Sequence, residues 1–120
     1  MKVAVTATGP TLSSGVDPRF GRARWVLIVD TAGGNAVEAL DNSVGVSASS
    51  GAGVQAAERV ARAGVEYLLT GHCGPNAFRA LSAAGVKVIT GVEGSVEDAL
   101  GKLARGELRA SGGDDVGGHW

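Results

Sequence analysis

The chain has 120 residues, a formal net charge of −1, 44% hydrophobic residues, 20 glycines and three prolines. Twenty glycines in 120 is about 17% against an average near 7%, but they follow no three-residue period, which excludes collagen; the apolar fraction excludes general disorder. No apolar run nears the ~18 residues of a membrane span, and a near-neutral charge with two Trp, one Tyr and two Phe gives neither a nucleic-acid footprint nor a base-stacking platform.

A single cysteine cannot close an internal disulfide, and MKVAVTATG at the start lacks the apolar core of a signal peptide. The expectation is a soluble, cytoplasmic protein with no nucleic-acid and no membrane partner. The length suits one domain over residues 1–110, followed by a flexible tail over 111–120.

Residues 2–8 alternate and are β-branched, so they predict a strand. Residues 9–24 are broken by Gly9, Pro10, Gly15, Pro18 and Gly21, and predict a long loop of the kind that often carries function. WVLIVD (25–30) predicts a buried strand, Gly33-Gly34 a tight hairpin turn and 36–42 the returning strand. Residues 43–51 predict a flexible loop of small residues. Val54, Ala57, Val60 and Ala61 then fall on one helical face, with Glu58, Arg59 and Arg62 outside.

Strands are expected at 65–70 and 86–90, and helices at 75–84, opening on Pro75, and at 96–105, capped by Ser95. Gly64, Gly85 and Gly106 stop the helices at 21-residue intervals. Two strand–loop–helix units follow in succession, so their strands should be parallel with a right-handed crossover. The hairpin adds antiparallel character, giving a mixed five-stranded sheet.

Four constellations could carry chemistry. Gly71-His72-Cys73-Gly74-Pro75-Asn76 joins a strand's carboxyl end to a helix start, where α/β proteins bind ligands and where free N–H groups favour anions. The same helix end would lower a thiol pKa, making Cys73 a candidate thiolate. Cys73 and His72 together suit soft metals, although neighbouring side chains on extended backbone diverge. The plainer reading is a small buried cysteine beside a hydrogen-bonded histidine. The only other histidine is His119, so a closed four-ligand zinc site would require carboxylate or second-chain ligands.

His72-Cys73, five residues and Arg79 also match the H-C-x5-R pattern of cysteine-dependent phosphatases, with Cys73 as nucleophile and Arg79 holding phosphate. Pro75 removes an N–H that such a cradle would use. Ser49-Ser50-Gly51-Ala52-Gly53 precedes a helix as an anion-binding start or simply as a Gly-rich cap. In Asp17-Pro18-Arg19-Phe20-Gly21-Arg22, the arginines could hold an anion while Phe20 either covers a pocket or tucks into the core.

Taken together, MKVAVTATG, DPRFGRARWVLIVD, the stretch from Ser49 to Gly91 and the terminal GHW resemble the dinitrogenase iron–molybdenum cofactor biosynthesis family, over nearly the whole chain. The resemblance implies an α/β, ribonuclease H-like three-layer fold, with one antiparallel strand in the five-stranded sheet and about three flanking helices. It implies a non-catalytic accessory that binds or carries, without covalent attachment, an iron–molybdenum cofactor precursor or another Mo, Fe or Cu–sulfur cluster. Partners would be cofactor-assembly proteins or an iron–sulfur ATPase. The cofactor-binding residues so implied are Arg19, Phe20, Arg22, Ser50, Gly51, Gly53, Gly71, Gly74 and Asn76, with His72 and Cys73 nearest the metal.

Overall fold

The computed structural model describes residues 1–42 and 52–110, with backbone alone for 52–54. The elements are β1 (Lys2–Ala7), β2 (Trp25–Asp30), a 3-10 turn (Thr31–Gly33), β3 (Ala36–Asp41), α1 (Ala52–Arg62), β4 (Tyr67–Leu69), α2 (Pro75–Ala83), β5 (Lys87–Ile89) and α3 (Val96–Ala104). The strands form one sheet in the order β3-β2-β1-β4-β5. β2 pairs antiparallel with both β1 and β3, while β1 with β4 and β4 with β5 are parallel. β2 therefore runs against the other four strands, as the single antiparallel strand expected.

Strand alternation divides the core between two faces. Val3, Val5 and Ala7 of β1 and Leu27 and Val29 of β2 join Leu69, Ile89 and the α3 residues Val96, Ala99 and Leu100. On the other face, Ala4, Val26, Ile28, Leu68 and Val88 meet Ala56, Ala57 and Val60 of α1 and Ala77 and Leu81 of α2. Helices on both faces explain why WVLIVD is a continuous apolar run rather than an alternating one. Gly64, Gly85 and Gly106 have φ of 74°, 83° and 73°, the left-handed conformation that ends a helix.

Two local readings are corrected. The β2–β3 connection is longer than a two-residue turn at Gly33-Gly34. Asp30 Oδ1 accepts from the N–H groups of Ala32 and Gly33, at 3.1 and 3.3 Å, and nucleates the 3-10 turn; Gly34 and Asn35 follow with φ of 73° and 62°. A carboxylate at the strand end wins over the Gly-Gly pair by capping the amides just beyond it. Arg59 is half-buried rather than outside, because its guanidinium reaches back to the end of β3.

Residues 43–51 and the tail 111–120 lie outside the described residues. Among those described, no helix is long and apolar enough to cross a membrane.

Ser95 caps α3 as expected: its Oγ accepts from Asp98 N–H at 3.0 Å. Replacing Ser95 by Ala should lower the free energy of unfolding by about 1 kcal/mol. Urea titration should show this as a lower midpoint with an unchanged slope.

Candidate functional site

The site is built by folding the first loop onto the junction between β4 and α2. At the end of β1, Asp17 N–H donates to the Thr6 carbonyl at 2.9 Å, and the Thr6 hydroxyl donates to the Asp17 carbonyl at 2.7 Å. Thr6 Oγ1 also lies 2.9 Å from Thr70 Oγ1 at the end of β4, and Thr6, Asp17 and Thr70 are all buried. Pro18 then lies directly against Gly71. A Cβ on Gly71 would stand 2.5 Å from Pro18 Cα, so only glycine permits this approach. One step further, Phe20 N–H donates to the His72 carbonyl at 3.0 Å.

These contacts fix Arg19. Asp17 Oδ1 accepts from Arg19 N–H at 2.9 Å and stands 3.5 Å from Arg19 Nε, while the Arg19 side chain keeps 67% of its surface exposed. Arg22 is also exposed, and its N–H donates to the Arg19 carbonyl at 3.2 Å. Arg19 thus bridges to His72 through the backbone, and Arg19, Arg22 and His72 are all exposed.

The far end of the loop is held by Asn42, which the sequence reading missed. This buried amide donates from Nδ2 to the carbonyls of Gly21 and Ala23, at 3.3 and 3.0 Å, while its N–H donates to the Arg24 carbonyl at 2.7 Å. Its Oδ1 accepts from Arg59 of α1 at 3.3 Å, and Arg59 also donates to the Asp41 carbonyl at 3.0 Å. A lone Asn at a strand end gives little sequence signal; its role lies in tying the 21–24 loop and α1 to the end of β3.

At the start of α2, Gly74 is the N-cap in extended backbone, no side chain caps the helix, and Pro75 follows. Asn76 is exposed, and its Oδ1 accepts from the Arg79 guanidinium. Gly53 lies in the first turn of α1, whereas Ser50, Gly51 and His119 lie outside the described residues.

The expected Cys73 thiolate is corrected. Cys73 has no exposed surface and packs in the same core cluster as Phe20, Ala77 and Leu81. Burial pushes its thiol from an ordinary 9.0 up to about 12. That rise is about 4 kcal/mol against the thiolate, whereas a helix end stabilises an anion by about 2 kcal/mol at most. Desolvation wins, and the thiol S–H instead donates to the Gly74 carbonyl at 3.7 Å. His72 and Cys73 diverge, one outward and one inward, as extended neighbours do.

Phe20 likewise is buried in that core cluster. The phosphatase reading loses its support: its nucleophile is protonated and enclosed, and its arginine is held by Asn76.

Among the described residues, no group of three or more His, Cys, Asp or Glu side chains converges to hold a metal ion. What this end of the sheet offers is cations, an imidazole and helix N–H groups, a set suited to a bulky anion rather than a chelated ion. A groove of about 790 Å³ lies elsewhere, along α3 on the opposite face.

The family model described as dinitrogenase iron–molybdenum cofactor matches residues 1–106. The chain belongs to this family. It is similar to the apo form of the orange protein from Desulfovibrio gigas, with 45% identity, a TM-score of 0.88 and 92% of each chain covered. It is also similar to a NifB-like protein from Thermotoga, with 37% identity, a TM-score of 0.78 and 91% of each chain covered. A dinitrogenase-like protein from Methanocaldococcus jannaschii is 15% identical over 92% of this chain and 94% of its own, with a TM-score of 0.64, and shares the fold. No curated protein matches. Family membership associates the chain with cofactor-linked accessory proteins of α/β fold.

Two outcomes follow from this geometry. Gly71→Ala forces Pro18 away and should destabilise the protein by roughly 1–3 kcal/mol, read by thermal or urea unfolding. The neutral Cys73 of the folded state stabilises fully below pH 9, where the unfolded thiol is also neutral. Between pH 9 and about 12 the unfolded chain releases its proton and the folded one does not. Stability from this group should therefore fall as pH rises through that window, by up to about 1.4 kcal/mol per pH unit. Cys73→Ala should remove that part of the slope when the two proteins are unfolded in parallel.

Proposed function

We propose that this protein binds and carries an anionic metal–sulfur cluster as non-covalent cargo, and does not turn it over. The cargo class is an iron–molybdenum cofactor precursor or another Mo, Fe or Cu–sulfur cluster. The observation that carries the reading is the docking of the first loop on the β4–α2 junction. It sets the exposed Arg19 against His72, two residues before the Gly74 N-cap of a helix that no side chain caps, with the exposed Arg22 further along the same loop.

Such a cluster is bulky, soft and negatively charged, and it needs cations and N–H donors more than a rigid cage. Each group contributes little alone. A helix N-terminus is worth about 0.3–1 kcal/mol when exposed, and an exposed ion pair about 0.2–1 kcal/mol. Several acting together give retention that can still be reversed, which suits a carrier that must release its load. Gly71 admits Pro18 and with it the loop that carries Arg19, Gly74 leaves the backbone open to the cargo, and Asn76 borders it. Ser50, Gly51 and Gly53 would complete the cradle from the start of α1, and donor and acceptor would be cofactor-assembly proteins or an iron–sulfur ATPase.

In this reading His72 is the exchangeable side-chain contact to the cargo. Cys73 supports the site from beneath as a core residue.

Anaerobic incubation with tetrathiomolybdate and copper(I), followed by gel filtration and metal analysis, tests the proposal. Metal should co-elute with the protein. Arg19→Ala combined with Arg22→Ala, and separately His72→Ala, should each cut retention about tenfold or more while leaving the unfolding midpoint nearly unchanged. Cys73→Ala should lower stability and leave retention largely intact. Failure of every cluster to co-elute, or loss of retention confined to Cys73→Ala, overturns it.

A further inference from the structure

The outward stripe of α3 has no role in the site described above. Glu97, Asp98, Gly101, Lys102 and Arg105 follow one another at helical spacing along it. The first two and Arg105 are exposed, and Gly101 and Lys102 half-exposed. This stripe forms one wall of the groove of about 790 Å³, whose other side includes Thr31 and Asn35 at the β2–β3 turn.

Charge is divided by sign along the groove. Glu93, Glu97 and Asp98 lie at the amino end of α3, and Lys102 and Arg105 at the carboxyl end. Arg105 also pairs with Glu107 of its own chain, so the basic end is not isolated. The sign order suits the helix dipole, but it also makes the stripe complementary to itself when reversed.

Gly101 is not explained by the single chain. It lies inside the helix, where glycine is disfavoured relative to alanine. It has no positive φ, and an added Cβ would meet only the flexible guanidinium of Arg105, at 3.2 Å. Alanine would fit the isolated protein. The lack of a side chain in the middle of an exposed stripe has a use where a second backbone approaches closely.

We propose that this face is a homodimer interface, in which α3 of a second copy lies antiparallel across α3 at Gly101. A two-fold axis through that point sets Glu97 of one copy against Arg105 of the other, twice. The acidic end of each groove then receives the basic end of its partner. The contact is one short helix and a turn on each side, so the dimer is of the weak, exchanging class. The proposal does not depend on the cargo reading, since α3 packs on the opposite face of the sheet from α1 and α2.

Sedimentation velocity of the full chain from about 10 µM to about 1 mM tests it, the range in which a small interface associates. A rise in sedimentation coefficient with concentration is expected, weakened by added salt. Glu97→Arg or Arg105→Glu alone should raise the dissociation constant about tenfold or more, and the double swap should restore it. Gly101→Ala should raise the melting temperature yet weaken the dimer, a pairing of signs that a purely structural glycine would not give. Circular dichroism confirms that each variant is folded. A monomer throughout this range hands the groove to a different occupant and overturns the proposal. So does a dimer indifferent to both charge reversals.

Discussion

The close approach of Pro18 to Gly71 fixes where the candidate site can be. Without a side chain at Gly71, the first loop reaches the β4–α2 junction, and the Phe20 amide bonds to the His72 carbonyl. The buried Thr6, Asp17 and Thr70 contacts anchor the start of that loop, and Asn42 anchors its end. Arg19 and Arg22 are thereby held on a stiff segment although their side chains are exposed. Cations on such a segment lose less entropy on meeting an anion than cations on a free loop, because the backbone is already ordered.

The sheet topology explains why these pieces meet at one end. β1, β4 and β5 run the same way, so the loops leaving them gather at their carboxyl ends. β2 runs against them and starts at that same end, which lets the first loop descend into it after crossing Gly71. Loop 12–16 takes the other side. The Ser14 and Leu12 carbonyls accept from Val96 and Glu97 N–H at the start of α3, each at 2.9 Å. That helix end is therefore satisfied by the protein itself, while no side chain caps α2. On the proposed cargo reading, that difference in capping favours α2 over α3 for an anion.

Much of the fold was legible because local signals agreed with one another. The alternation in β1, the apolar run of β2, Pro75 at a helix start and Ser95 at another each name one element. Gly64, Gly85 and Gly106 set their period. The β2–β3 turn misled because Asp30, two residues upstream of the 32–33 amides, outcompetes a Gly-Gly pair in a way that composition does not reveal. The site was legible only as a set of loops. Proximity of Arg19 to His72 depends on a close backbone approach between residues far apart in sequence. The state of Cys73 depended on which way its side chain points, and its position at a helix start argued for the opposite sign. Once the thiol faces Phe20, Ala77 and Leu81, desolvation outweighs the helix field. Asn42 was invisible for a similar reason, since its partners in the 21–24 loop and in α1 are brought to it only by the fold.

The most direct test is a map of amide chemical shifts as tetrathiomolybdate is titrated anaerobically into the protein. A cargo held as described should perturb Arg19 to Arg22, His72 and the first turn of α2, with the region around Gly53 joining them. Shifts concentrated along α3, or saturable binding that leaves Arg19 and His72 unmoved, would contradict the placement of the cargo on the docked loop.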